Sequence, residues 1–377
     1  MLALASEPGM ISLAGGHPDP ALMPHNWFIE VVEQVLSRLD SAALQYGATE
    51  GLPALRESVS ALLQERRIQA GPADVVITTG SQQGISLLMS ALLEPGDAVV
   101  MAPHNYPAAM QAVRFAGGRI VVSNDDLEGL AELARDSAAT LKAVYVVPSF
   151  ANPTGHCMSL EARVGLLEEA SRLGLCVIED DPYSELWFDQ PPPDSLCALN
   201  QSRGIGAAVA YLTSFSKILA PAFRLGAFIA PPSLRRAVLL AKQAGDVHTG
   251  LLEQHVLDAM LRSPRLAPHL GHLRALYRTK ARTMTQTLRR LALDLLAFEE
   301  PAGGMFVWAR RLAAENERLD AFEFGRTHRV LVLPGSAFSP DSRSSPYLRL
   351  SFANPPLEAL REGIERLASG LRTRRLA

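Results

Sequence analysis

The sequence predicts an α/β architecture: a large unit built on a mostly parallel seven-stranded sheet, with a smaller α+β unit attached. Two observations carry this. Between about Asp74 and Ala230, short runs of Val, Ile, Ala and Leu alternate with stretches of helical character. Beyond Ser233 the chain becomes helical and then mixed. Short, nearly continuous apolar runs mark strands covered on both faces, and strand–helix alternation implies parallel pairing through crossovers.

In chain order, Val75–Thr79, Ala98–Ala102, Arg119–Ser123, Lys142–Val147, Leu175–Glu179, Ala207–Leu212 and Leu225–Ala230 read as strands. Gln83–Leu93, Ala108–Phe115 and Leu160–Leu173 read as helices between them, punctuated by Pro95-Gly96-Asp97, Gly117-Gly118 and Gly174. From Ser233 to about Leu296 the pattern is helical almost without break. Strands follow near Met305–Ala309, Val330–Leu333 and Tyr347–Phe352, and a helix closes the chain from Leu357. No internal repeat or low-complexity tract interrupts the sequence.

Bulk composition narrows the function classes. Hydrophobic residues at 48% and charged residues at 20% suit a globular protein. A net charge of −3 gives no general attraction to nucleic acid or to an anionic membrane, and Arg372-Thr-Arg-Arg375 reads as a solvated helix end. Cys157, Cys176 and Cys197 are odd in number and lack C-x-x-C spacing, which argues against a disulfide framework and a structural zinc site. The start, Met1-Leu-Ala-Leu-Ala-Ser-Glu, has no basic n-region, and no apolar run reaches membrane-spanning length, so the cytoplasm is the expected location.

Lysine is scarce: only Lys142, Lys217, Lys242 and Lys280 stand among 36 lysines and arginines. Lys217 lies in a polar loop between two apolar runs, Thr213-Ser-Phe-Ser-Lys217 onward to Gly226. A primary amine condenses with a carbonyl, which a guanidinium does not do usefully. Ligands of open parallel sheets bind outside the carboxyl ends of the strands. Four polar loops fall there: Gly80-Ser81-Gln82 after the first strand, Asn152-Pro153-Thr154-Gly155 after the fourth, Asp180-Asp181-Pro182-Tyr183 after the fifth and Ser214-Phe215-Ser216-Lys217 after the sixth. Any one of them would pass as an ordinary strand-ending turn; four on one rim are a site.

A phosphate needs backbone N–H donors at a helix start, hydroxyls and a cation. Gly80, Ser81, Gln82 and Ser214 supply the first two and Arg224 the third, the alternative for Arg224 being a salt bridge at a strand start. An amine beside a phosphate cradle points to a phosphate-bearing aldehyde, pyridoxal phosphate. Such a ring needs a carboxylate at its nitrogen, for which Asp180 serves. Tyr183 and Asn152 are placed for its hydroxyl, and Tyr106 for stacking, where core packing is the alternative. Arg349 interrupts an apolar strand and needs an anion, either an internal acid or a substrate α-carboxylate.

Other motifs fail on context. Ser214-x-x-Lys217 lacks the companion Lys-Thr-Gly and Ser-Asp-Asn of serine β-lactamases, and Gly204-Ile-Gly206 precedes a strand instead of following one. There is no Walker A sequence and no H-E-x-x-H. His17, His104 and His248 lie near the candidate loops and read as hydrogen-bonded bystanders.

With these residues in view, the chain resembles fold-type I pyridoxal-phosphate enzymes of the class I/II aminotransferases. Within them it is most similar to the subgroup of 2-aminoadipate and kynurenine aminotransferases and the aminotransferase-like domains of MocR-type regulators. The likeness covers Ile11–Pro20, Leu44–Gly51, Thr78–Gln83, Pro148–Gly155, Val177–Leu186, Ser214–Gly226, Pro301–Phe306 and Tyr347–Asn354. It implies the type I transferase fold, with a large domain over residues 27–275 and a small one from 1–26 and 276–377. Lys217 is then the internal aldimine and proton carrier, Asp180 the pyridine-nitrogen partner and Tyr106 the stacking ring. Asn152 and Tyr183 bind the ring hydroxyl. Ser81, Gln82, Ser214 and Arg224 hold the phosphate, with Gly80 and Ser216 also among the cofactor-binding residues. Arg349, Asn152 and Gly16 bind the substrate, with Gly15 and Gly16 closing over it. Tyr46 resembles the tyrosine that reaches the neighbouring subunit's phosphate, so a homodimer with shared sites is expected.

The resemblance therefore implies a ping-pong aminotransferase acting on an L-amino acid and a 2-oxo acid, with a donor of the 2-aminoadipate, aromatic or branched-chain kind. No metal, nucleic acid or membrane partner is expected. Members of the subgroup usually carry a further helix before the Gly-Gly segment, where this sequence has Met1–Met10, so the substrate transfers least. Two alternatives stay open: a lyase or other Cα chemistry on the same site, and a non-catalytic cofactor-sensing domain of a regulator, against which no winged-helix segment or basic linker is seen.

Overall fold

The structure, a computed structural model, describes residues 2–312, 319–341 and 345–376. Thirteen strands are numbered in chain order among these residues: β1 Ile11–Ser12, β2 Val76–Thr78, β3 Ala98–Met101, β4 Arg119–Val122, β5 Leu141–Val146, β6 Cys176–Asp181, β7 Ala208–Ser214, β8 Gly226–Ile229, β9 Leu296–Phe298, β10 Phe306–Arg311, β11 Val330–Leu331, β12 Leu333–Pro334 and β13 Tyr347–Ser351. Seven form one sheet in the order β2-β8-β7-β6-β5-β3-β4. Only β8 runs against its neighbours, β2 and β7. The expected seven-stranded, mostly parallel sheet is present.

Alternation within each strand explains the continuous apolar runs. Val100, Val144, Val177 and Tyr211 face one hydrophobic cluster, whereas Val99, Tyr145, Ile178 and Leu212 face another on the opposite side. Both faces are dry, so neither needs polar residues. The helices Gly80–Leu92, Pro107–Phe115 and Leu160–Leu173 lie where the sequence places them. Six further helices, Leu2–Ala5, His25–Leu36, Pro53–Glu65, Leu130–Asp136, Leu196–Arg203 and Ala321–His328, were not assigned from the sequence.

The helical stretch after Ser233 resolves into Pro232–Gly245, Leu251–Leu261 and the 27-residue helix Leu266–Ala292, which crosses the expected division at residue 275. The second sheet has the order β12-β13-β10-β9, all antiparallel, with the closing helix Leu357–Leu376 following it. The single strand expected over Val330–Leu333 is two. β11 pairs in parallel with β1, while β12 pairs with β13, so the chain changes sheets at Val332. The side chains of Arg374 and Arg375, part of the expected solvated helix end, lie outside the described residues. Among the described residues no helix is long and apolar enough to cross a membrane.

The segment after β1 is tied across the molecule. Leu13 N–H donates to Leu331 O at 2.8 Å, and Leu13 O accepts from Ser351 N–H at 2.7 Å. Six residues on, Asp19 meets the buried ammonium of Lys280, which also donates to Ala353 O at 2.7 Å and Pro355 O at 2.9 Å. Removing one partner of a buried pair leaves the other charge uncompensated. Lys280→Met is expected to lower stability by about 3–5 kcal/mol, read as a fall in the urea midpoint; an unchanged midpoint would contradict the anchoring role.

Candidate active site

A cavity of about 720 Å³ opens at the carboxyl ends of β2, β5, β6 and β7. It is lined by Gly16, Gly80, Ser81, Gln82, Tyr106, Asn152, Asp180, Tyr183, Ser214, Ser216, Lys217, Arg224 and Arg349. These are all the residues singled out from the sequence except Gly15 and Tyr46. Tyr46 is 83% exposed and meets the His248 ring edge-on, with centroids 5.9 Å apart. His17, Gln111, Leu333, Ala337 and Phe338 are among the other lining residues and were not assigned to the wall from the sequence.

One end of the cavity is an anion cup. The helix Gly80–Leu92 starts without a side-chain cap, leaving the first N–H groups of its opening turn unsatisfied. Gly80 sits at φ +74°, and a Cβ there would come within 2.8 Å of the Arg224 guanidinium. Gly226 is equally constrained, since a Cβ would fall 2.7 Å from Ser81 N. The guanidinium thus lies directly over the turn, and none of the ion pairs among the described residues includes Arg224, so the strand-start salt bridge is not formed.

The centre of the cavity follows from β6. That strand runs two residues further than the sequence implied, so Asp180 and Asp181 are its last residues rather than a following loop. They point to opposite faces. Asp181 accepts from Tyr211 and Ser184 behind the sheet, at 2.7 and 2.8 Å. Asp180 Oδ2 accepts from Tyr145 at 2.7 Å, and its Oδ1 has no partner. Burial, with Asp181 nearby and against the Tyr145 hydrogen bond, raises the Asp180 carboxyl to about 7. Tyr183 bonds Asn152, and its phenol is pushed up chiefly by burial. Tyr106 ends the loop after β3 at the start of the helix Pro107–Phe115, with its hydroxyl 3.5 Å from Gln82 Oε1.

Lys217 Nζ donates to Gly16 O at 2.9 Å. Burial first, then Arg349 and Arg224, lowers its ammonium to about 8. Arg349 reaches in from β13. Its Nη1 donates to Asn152 Oδ1 at 2.6 Å and its Nη2 to Ala14 O at 2.5 Å, while Phe306 and Phe338 lie 4.3 and 4.7 Å from its guanidinium carbon. Its Nε has no partner, no acid pairs with it among the described residues, and burial lowers it to about 10. The internal acid weighed as its partner is absent from these contacts.

One positioning residue escaped the sequence. Arg163 is fully buried and donates to Pro148 O at 2.7 Å, Ser149 Oγ at 3.0 Å and Met158 O at 3.1 Å, clamping both ends of the loop that carries Asn152. Its place in the helix Leu160–Leu173 signals nothing by itself. His104 packs edge-on against Trp308 and Tyr347, with centroids 5.0 and 5.6 Å away.

Comparison with known proteins adds four findings. The family described as aminotransferase class I and II matches residues 10–367. The 2-aminoadipate transaminase of Thermus thermophilus is 35% identical over 380 residues, spanning 99% of this chain and 92% of that protein. The aromatic-amino-acid aminotransferase 1 of Thermococcus litoralis is 33% identical over 382 residues, spanning 99% and 90%. Among solved structures, the alpha-aminoadipate aminotransferase of Thermus thermophilus, complexed with N-(5'-phosphopyridoxyl)-L-leucine, superposes with a TM-score of 0.90 at 33% identity, covering 98% of this chain and 94% of that one.

The raised Asp180 carboxyl has a consequence for stability. Between pH 3.8 and about 7 the folded chain holds a proton that the unfolded chain releases, so this group's contribution is full below pH 3.8 and lost as pH rises through about 7. After dialysis to remove small molecules, Asp180→Asn is expected to exceed the parent in stability above pH 7 by about 1–3 kcal/mol and to match it below pH 4. Denaturant titration at the two pH values checks this, and a pH-independent difference would refute it.

Proposed function

This chain belongs to the class I and II aminotransferases, and from that membership we propose that it is a cytoplasmic homodimer transferring the amino group of an L-amino acid to a 2-oxo acid in two half-reactions. The cofactor is pyridoxal 5'-phosphate, and the donor is of the 2-aminoadipate, aromatic or branched-chain kind. Residues 27–275 form the unit carrying the cofactor cup, and residues 1–26 with 276–377 form the unit carrying Arg349. One observation supports this most: a single cavity collects an amine lowered to about 8, a carboxylate with one unpartnered oxygen and a guanidinium with no acid beside it.

The donor set fits the cofactor. Gly80, Ser81, Gln82, Ser214, Ser216 and Arg224 offer N–H groups, hydroxyls and a cation to the phosphate. The free Oδ1 of Asp180 would accept from a protonated ring nitrogen, and Asn152 and Tyr183 would take the ring hydroxyl. Tyr106 stacks on the ring. Tyr46, exposed on its own subunit, serves the phosphate of the neighbouring one. When bound, the group supplies an aldehyde that condenses with amines and a ring that withdraws electrons from the substrate Cα.

The protein's own residues do the rest. Arg349 grips the α-carboxylate, with Nε still free to donate, and Asn152 and Gly16 flank it. That grip fixes the Cα–H bond relative to Lys217. With an ammonium lowered to about 8, an appreciable fraction of Lys217 is neutral in mildly alkaline solution, so its Nζ takes the proton from Cα and returns it. With the cofactor in its aldehyde form and no substrate bound, the same amine would hold that aldehyde.

Supplying an amino acid without any oxo acid should give one equivalent of product per site and then stop; continuous turnover would instead identify elimination or decarboxylation. Lys217→Ala is expected to lose at least about 10²–10⁴-fold in turnover. Borohydride reduction followed by peptide mass spectrometry should find the pyridoxyl group on Lys217 in the parent, and its appearance on another residue would refute the assignment. Arg349→Gln should raise KM for the amino acid by roughly 10–100-fold, measured by steady-state kinetics.

A further inference from the structure

Lys242 has no part in the chemistry above, yet it is fully buried in the helix Pro232–Gly245. Its ammonium donates to both oxygens of Asp246 at 2.8 Å, to Thr249 Oγ1 at 3.1 Å and to Gln83 Oε1 at 3.4 Å. Gln83 completes a ring: its Nε2 donates to Asp246 Oδ2 at 2.6 Å, and its Oε1 accepts from Thr79 N–H at 2.8 Å. Thr79 immediately precedes Gly80, the left-handed residue on which the anion cup turns. On the other side of that turn, Thr78 Oγ1 donates to Gly80 O at 2.9 Å.

We propose that Lys242 is a positioning residue for the phosphate of the cofactor, acting through Asp246 and Gln83 on the Thr79–Gly80 turn. The inference rests on the reading that Gly80–Gln82 forms the phosphate cup. The physical argument concerns the Gln83 carboxamide, which has an accepting end and a donating end. Thr79 N–H requires the oxygen, and the orientation that provides it also aims the NH₂ at Asp246. Lys242 enforces that orientation twice, by donating to the same oxygen and by holding Asp246 in place to receive the NH₂.

Without the ammonium, Asp246, whose side chain is 28% exposed, turns toward solvent, and only the Thr79 N–H is left to distinguish the two ends of the amide. The Thr79 N–H then loses its fixed acceptor, and the turn that aims the Ser81 and Gln82 N–H groups loosens. Lys242 touches no residue of the cavity wall directly, so the effect falls on phosphate recognition and not on the ring or the amine.

The test compares pyridoxal 5'-phosphate with pyridoxal, which lacks the phosphate, by absorbance titration of the stripped protein. In the parent the phosphorylated form should bind far more tightly. Lys242→Met is expected to raise its half-saturating concentration about tenfold, the size of one lost hydrogen bond, and to leave pyridoxal binding unchanged. Gln83→Met, which removes the amide and keeps the side-chain length, should do the same and carries the test if the lysine variant fails to fold. If both ligands weaken equally, or only the melting temperature falls, the network is structural and the inference is overturned. A parent that does not prefer the phosphorylated form would overturn the cup itself, and this inference with it.

Discussion

Three cations share one cavity with one carboxylate, and among the described residues none of the three is neutralised there by an acid. Lys217 is held by the Gly16 carbonyl, and Arg349 by the Ala14 carbonyl and the Asn152 amide oxygen. Carbonyl dipoles satisfy hydrogen bonds without cancelling charge, so burial lowers both proton affinities, to about 8 for Lys217, where repulsion from Arg349 and Arg224 adds to it, and to about 10 for Arg349. Such a cavity gains most from an anionic occupant. On the proposed reading, a phosphate and a carboxylate relieve the repulsion at the two ends, while the amine between them keeps the part of its lowered proton affinity that comes from burial.

The carboxylate side of this balance comes from one strand. Glu179, Asp180 and Asp181 are consecutive and buried, an arrangement that would be severely destabilising if the three shared an environment. Strand alternation separates them. Glu179 accepts from Leu196 N–H and Cys197 N–H, both at 2.8 Å, at the start of the helix Leu196–Arg203. Asp181 faces the same side and is occupied by Tyr211, Ser184 and the nearby Arg66. Asp180 alone faces the cavity, and it alone keeps an oxygen without a partner. The neighbours are saturated by the fold, which leaves one acid for chemistry.

Legibility in the sequence followed the same division between local and distant partners. The sheet strands were readable because both faces are dry and their residues uniformly apolar, and the polar loops because they interrupt that uniformity at a fixed end. The helices His25–Leu36 and Pro53–Glu65 went unassigned; neither has a side-chain cap to announce its start. The chain crossing from β11 to β12 was missed because Val332 is as apolar as its neighbours, and only pairing with β1 and β13 divides the run. Supporting residues were the least visible. Lys280 meets Asp19 across 261 positions and Lys242 meets Gln83 across 159, separations that no local pattern encodes. The sequence picked out the lysines as rare, but gave a role to one.

The spacing between the amine and the guanidinium is set by a segment belonging to neither. Lys217 rides on the loop after β7 and Arg349 on β13 of the other sheet, yet their nearest shared supports are Gly16 and Ala14, two residues apart. That segment is pinned at one end by the Leu13 backbone pairing with Leu331 and Ser351, and at the other by Asp19 on Lys280. On the proposed reading, an amino acid presents its carboxylate and its Cα proton on adjacent atoms, so a guanidinium and a base acting on both must be registered within a fraction of an ångström. A loop on one sheet and a strand of another do not hold such a tolerance by themselves. A short tether, hydrogen-bonded to each cation and anchored on either side, supplies it, and this is why the polar backbone around Gly15 and Gly16 lies inside the site rather than on the surface.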